Sequence, residues 1–415
     1  VSARRDGSSR LAKDSRWGNF WSVSGSWRIT KERFAQPITH ILTDAKLRLS
    51  YGISGTQPSD YYGYMGIYEY GNNYAGKPGA SEARLPNTDL TWEKNNATNI
   101  GIDMTFISRF SLSFDWYNRK TTDLLFDKPI STTTGFGTVL SNVGAMRNRG
   151  FDIEISSTNI DNKVLLWTTT LNIGHNKNKI TKLDGTQREM INPNYTQLIH
   201  RVGKPYYSFY GLEYAGVDPE TGKESYYRNK GSNPREITTN PGDANFVIIG
   251  KAEPKVQGGI TNFMTAYNFD FSFTFTYSLG GKAYDRARWI QSNGGNTNYF
   301  GNVPSYWNEK DMWKEPGDIA KLPQFVYGNT GATSSRWLLS TNHLRLKNMT
   351  FGYTLPRNIL NKMRLNKLRA YMSSNNLLTF KSKNLYIDPE VPAHGLVTFE
   401  TPALRTVTFG VEIGF

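Results

Sequence analysis

The stretch FDFSFTFTYSL sets Phe269, Phe271, Phe273, Phe275, Tyr277 and Leu279 on one register of an extended chain and Asp270, Ser272, Thr274, Thr276 and Ser278 on the other. Alternation this strict describes a strand with one apolar and one hydrated face. The same period recurs along the chain, and a helical period is almost absent, so the chain is all-β. Further alternating runs cover Asn19 to Thr30, Leu42 to Ser54, Trp92 to Phe106, Phe110 to Leu125, Ala145 to Asn159 and Val164 to Ile180. Val256 to Ala266 forms a pair with the first stretch, and the last strands are Leu344 to Leu355, Leu368 to Phe380 and Ala403 to Phe415. With the piece Val1 to Ser9 that makes about twelve. The phase slips between Leu346 and Met349, which predicts a β-bulge near Asn348.

The connections alternate between short and long. Ile107 to Arg109, Ile160 to Lys163, and Tyr267 with Asn268 are tight, whereas residues 55–91, 126–144, 181–255, 280–342 and 381–401 are long loops. Pro356 to Asn366 is a slightly longer turn on the short side, with Pro356 placed for a helix start and Ile359, Leu360 and Met363 at helical spacing. In strict up-and-down order every short turn falls at one end of the sheet and every long loop at the other. Bacterial outer-membrane barrels are built this way, with short periplasmic turns and long extracellular loops.

A soluble β-sandwich also alternates and remains the competing fold. Composition bears on the choice. Mean hydropathy is −0.55 and no run is long and apolar enough for a membrane-crossing helix, which leaves a closed barrel as the way to span a bilayer. Aromatic residues make up 13% of the chain, and Trp21, Trp27, Trp116, Trp167, Tyr277 and Tyr353 lie toward strand ends on the apolar register, as an interfacial girdle requires. Phe269, Phe271, Phe273, Phe275 and Tyr277 are then expected to face lipid. The other register carries Arg28, Lys46, Arg48, Asp103, Asp115, Asp152, Glu154, Asp270, Arg369 and Glu412, as a watered or plugged interior would. The chain ends in TVTFGVEIGF, and Phe409, Val411, Ile413 and Phe415 on one face read as an outer-membrane assembly signal.

The formal charge of +14 calls for anionic neighbours. Nucleic acid is not expected, because the Lys and Arg are scattered and no recognition motif appears; outer-membrane lipid and lipopolysaccharide suit the charge equally well. The chain has no cysteine, which excludes disulfides and thiolate metal sites. VSARRDGSSR carries no apolar targeting segment, so the chain reads as beginning in the middle of something.

Several stretches resemble one family, the TonB-dependent transporters of the SusC/RagA type from Bacteroidota. They are RDGSSRLAKDSRWGNFWSVSGSWRI, LPNTDLTWEKNNATNIGID, DWYNRKTTDLL, NVGAMRNRGFDIEI, GHNKNKIT, PYYSFYGLEYAGV, HLRLKNMTFGYTLP, LRAYMSSNNLLTF and YIDPEV, in the family's order over essentially the whole chain. The resemblance implies a transmembrane antiparallel up-and-down barrel of 22 strands, of which residues 1–415 supply about the last twelve. An N-terminal plug and the first strands are then absent from this chain. It also implies outer-membrane import of oligosaccharide or peptide with a SusD-like lipoprotein, driven through TonB by way of the missing N-terminal part. A barrel kept as a scaffold in a surface complex, without transport, is the alternative.

Catalytic chemistry is not expected. The five histidines are far apart, and neither a G-x-S-x-G elbow nor a phosphate-binding loop occurs. GVDPETGKESYY sits where family members often carry a calcium-binding stretch, but with Asp218 and Glu220 as the candidate ligands the count is too low, so an ordinary Asp-Pro turn is favoured over calcium. The long loop 280–342 holds Trp289, Tyr299, Tyr306, Trp307 and Trp313 among polar residues. Such rings suit stacking on sugars or peptides, packing against a lid protein, or packing within the loop.

Overall fold

The computed structural model describes residues 1–185, 187–192, 194–291, 305–326 and 331–415. Among them, twelve strands form one sheet whose order follows the chain. They are β1 (Ser2–Gly7), β2 (Trp17–Arg28), β3 (Leu42–Thr56), β4 (Glu93–Phe106), β5 (Phe110–Pro129), β6 (Thr138–Asp161), β7 (Leu165–Lys182), β8 (Val256–Ala266), β9 (Phe269–Leu279), β10 (His343–Thr354), β11 (Lys367–Lys381) and β12 (Thr406–Gly414). From β1 to β7 and from β10 to β12 the pairs are antiparallel. The up-and-down order read from the sequence is therefore present.

The short turns have local causes. Ile107 and Ser108 both take left-handed φ, and Arg109 N–H donates to the Phe106 carbonyl, the primed turn that matches strand twist. At the next turn Asn162 Oδ1 accepts from the backbone N–H of Val164 and Leu165 at 2.9 and 2.8 Å. Between β10 and β11 the helix Arg357–Met363 forms as expected, closed by left-handed Arg364, but it buries only Leu360 and leaves Ile359 and Met363 exposed. The bulge predicted near Asn348 is also there. Its extra residue lies on the facing strand, where Asn376 and Leu377 oppose Lys347 alone and Asn376 has φ +53°.

Chain contacts divide into two compact units. The first comprises Val1–Pro193, Arg201–Tyr206 and Gly258–Phe271; the second comprises Asn194–His200, Tyr207–Gln257 and Ser272–Phe415. In the first unit, Leu11, Phe20, Leu90 and Trp92 form one buried cluster and Leu124, Phe126, Ile180 and Leu183 another. The second cluster explains a correction. β5 and β6 were expected to stop at Leu125 and start at Ala145, yet they run on to Pro129 and from Thr138. Asp123, at φ +58°, shifts the register there, so the alternation breaks while the strands continue.

Among the described residues, the long loops carry more secondary structure than their sequences suggest. Residues 55–91 contain the hairpin Ile67–Tyr74 with Lys77–Arg84. In the second unit, Lys282–Asp285 pairs with Leu338–Ser340 and with Leu396–Val397. Around it Leu198, Phe209, Ala252, Tyr284, Trp337 and Leu396 make the unit's main buried cluster. A mini-core of loop residues thus sits at the long-loop end.

Candidate functional site

Two groups of side chains carry the chemistry, one in each unit. In the first unit, Arg48 on β3 faces Gly101 on β4, which faces Asp115 on β5. Arg48 Nε and Nη2 donate to the two oxygens of Asp103 at 2.8 and 2.9 Å, and Nη2 also reaches Asp115 Oδ2 at 2.9 Å. Ser113 Oγ donates to Asp103 Oδ1 at 2.9 Å. A Cβ at residue 101 would lie 2.4 Å from Asp115 Oδ1 and 2.8 Å from the guanidinium carbon, so glycine leaves the path open. All of these charges lie on the register that the sequence assigned to the interior, and the single arginine answers two carboxylates across three strands.

In the second unit the loops carry a set of charges and rings. Glu224 and Arg336, both less than a tenth exposed, form an ion pair, and Tyr226 Oη donates to Glu224 Oε2 at 2.5 Å. Burial, reinforced by Glu224, pushes the Tyr226 phenol well above its usual range; burial likewise pushes Tyr214 up to about 12. Nearby in sequence order, Arg345 on β10 is 3% exposed and donates from Nη2 to both oxygens of Asp388 at 2.8 Å, with Nη1 2.9 Å from Glu390. Lys347 adds a second cation to Glu390 at 2.7 Å. Burial raises the Asp388 carboxyl, but Arg345 and the backbone N–H groups of Glu390 and Ala403 outweigh it and hold the group below its ordinary value. Two of the stretches quoted above, HLRL and YIDPEV, are thereby tied together.

The aromatic residues singled out in loop 280–342 are dispersed in their roles. Trp289 packs on the main loop cluster and donates Nε1–H to the Gly331 carbonyl at 2.9 Å. Tyr306 and Tyr386 sandwich the Arg288 guanidinium, 3.8 and 3.4 Å from their ring centres, and burial pushes Tyr306 up to about 12. Trp307 meets Phe325 edge-on at 6.0 Å. Trp313 lies over Gly222 and donates to the Pro219 carbonyl at 2.8 Å. Tyr299 lies outside the described residues. The sequence reading missed Arg288, Tyr386, Glu224 and Arg336, since ion pairs between distant loops leave no periodic signal.

Trp313 thus covers the turn considered for calcium. Asp218 Oδ1 accepts from both the backbone N–H and the hydroxyl of Thr221 at 2.7 Å, and these bonds hold its carboxyl below the ordinary value. The turn is closed by its own residues, and among the described residues no three acidic or histidine side chains converge on a metal position.

The family model of the TonB dependent receptor-like β-barrel matches residues 1–234. The chain belongs to the TonB-dependent receptor β-barrel family. A TonB-dependent receptor P3 of Formosa agariphila is 30% identical over all of this chain and 43% of its own length. The TonB-dependent receptor SusC of Bacteroides thetaiotaomicron is 31% identical over 99% of this chain and 41% of its own. The RagAB peptide transporter structure superposes with a TM-score of 0.88 at 27% identity, over 100% of this chain and 45% of that one. The chain therefore spans less than half the length of the relatives it matches. It is part of the wall of a transmembrane antiparallel barrel of the SusC/RagA type, located in the outer membrane. The family is one of transport proteins rather than enzymes.

Proposed function

We propose that this chain is the C-terminal portion of a TonB-dependent importer that brings oligosaccharides or peptides across the outer membrane. The single observation that supports this most is the superposition of the whole of this chain on a peptide transporter, over 45% of that protein's length. In this reading the plug, the remaining strands and the TonB contact lie in a part of the protein outside residues 1–415. The loop mini-core lies at the extracellular end, where a SusD-like lipoprotein would close over it and where Trp289, Tyr306, Trp307 and Trp313 would meet ligand or lid. The apolar register, with Phe269, Phe271, Phe273, Phe275 and Tyr277, faces lipid, and Phe409, Val411, Ile413 and Phe415 form the assembly signal.

One observation favours the scaffold alternative. The four described loop aromatics are each engaged by neighbours in the chain, which leaves less ring surface for a ligand. Uptake of labelled oligosaccharides and peptides by cells carrying the full-length protein, with and without TonB, separates the two. Import predicts TonB-dependent accumulation of one class; a scaffold predicts none, with the lipoprotein partner still co-purifying.

A further inference from the structure

Three rows of side chains cross strands β5, β6 and β7 on the apolar register. The lowest is Trp116, Phe151 and His175, aligned through the pairs Trp116 with Phe151 and Phe151 with His175, whose rings lie 5.4 Å apart. Two residues further toward the long-loop end comes Asn118, Arg149 and Lys177, and two beyond that Lys120, Arg147 and Lys179. Cross-strand partners sit about 5 Å apart at Cβ, so the pairs Lys120 with Arg147, Arg147 with Lys179 and Arg149 with Lys177 each set like charges face to face. That arrangement is destabilising unless an anion answers it.

Among the described residues none of the five cations is in an ion pair, and all five are exposed. Among the described residues Arg147 donates only to the neutral Asn118 Oδ1, at 2.5 Å. Arg147, Arg149, Lys177 and Lys179 alone line a cavity of about 210 Å³, and a second of about 660 Å³ shares Arg147 and adds Lys120 and Lys182. The acid in that second lining, Asp123, pairs with Lys94. Of the other acids on these strands, Asp115, Asp152 and Glu154 alternate onto the opposite register, Asp127 lies beyond the register shift at Asp123, and Asp161 is at the short turn.

The height of the patch identifies its partner. A tilted membrane strand needs about ten residues to cross the hydrocarbon, and ten residues up β6 from its short turn at Asp161 is Phe151. The cations therefore begin where the apolar band ends, at the level of outer-leaflet headgroups. We propose that Lys120, Arg147, Arg149, Lys177 and Lys179 form a binding site for the phosphate groups of an outer-leaflet lipid. Two arginines supply planar bidentate donors and three lysines supply point charges, a set suited to phosphate oxygens. Trp116, Phe151 and Ile153 beneath them would take the first part of the acyl chains.

This rests on the apolar register facing lipid, which an environment-sensitive label at Ile153→Cys tests separately, since the chain has no native cysteine. The binding test uses the full-length receptor in detergent, with native mass spectrometry reading bound bis-phosphorylated lipid A, dephosphorylated lipid A and inorganic phosphate. The site predicts at least tenfold tighter binding of the phosphorylated lipid than of the dephosphorylated one, and at least a tenfold loss in R147A/R149A/K177A/K179A. Lysine replacements at both arginines should keep most of the affinity and cover the case in which the fourfold variant fails to assemble. Equal binding of both lipids, or an assembled fourfold variant with unchanged affinity, overturns the proposal. Inorganic phosphate competing as well as the lipid would assign the site to a soluble anion and also overturn it. A lipid-exposed label at residue 153 with either overturning result sinks the phosphate site alone; a label that reports water sinks the register.

Discussion

Arg48 reaches past the bare Cα of Gly101 to set Nη2 2.9 Å from Oδ2 of Asp115, two strands away. Each charged side chain in this group is about a third exposed, so its pairing is solvated. Ion pairs of that kind contribute about 1 kcal/mol or less. R48M and G101A should each lower stability in urea titrations by about that amount, and together by less than the sum, because both remove one contact. A loss of about 4 kcal/mol in R48M would instead indicate a dry interior.

The two faces of β9 should respond oppositely to charge. F273R should cost about 2–4 kcal/mol if it lies near the bilayer midplane, whereas T274R, on the watered face, should cost little. Heat-modifiable migration of the assembled protein in gels reads the difference. Equal tolerance at both positions would contradict the register.

The Glu224 and Arg336 pair is a different case, because both partners are buried. E224Q or R336M alone leaves an uncompensated group and should destabilise the loop mini-core by about 3–5 kcal/mol, while the double replacement by apolar residues should recover much of the loss. Limited proteolysis between residues 213 and 245 reports it. Additive single losses would mean that the two residues do not act as a pair.

Asp388 gives the loops an acid sensitivity. Its carboxyl is held below the ordinary value in the folded state, so its contribution is complete above the ordinary value and is lost as pH falls through the lowered one. Protease cleavage within residues 382–403 should rise on acidification into that range. D388N should already be cleaved more readily at neutral pH and show a flatter profile.

How much of this was legible in the sequence follows from the range of the interactions. The alternation in FDFSFTFTYSL, the short turns at Ile107 and Tyr267 and the bulge beside Asn348 are local, and they are where the sequence placed them. The ends of β5 and β6 were misjudged because left-handed Asp123 breaks the period without ending the strands. The Arg288 sandwich and the Glu224 pair join residues about a hundred apart, so no window of sequence contains them. The cationic rows on β5 to β7 were visible only as scattered charge until the register aligned them.

In the proposed import reading, β9 is a wall strand with lipid on one face and water on the other. A cysteine scan from Phe269 to Leu279 in intact outer membranes, each site labelled and probed with a lipid-embedded and a water-soluble quencher, separates the two faces. Lipid quenching is expected at Phe271, Phe273 and Phe275 and aqueous quenching at Ser272, Thr274 and Thr276, alternating without a break. Uniform quenching along the strand, or lipid quenching at the Ser and Thr positions, would contradict it.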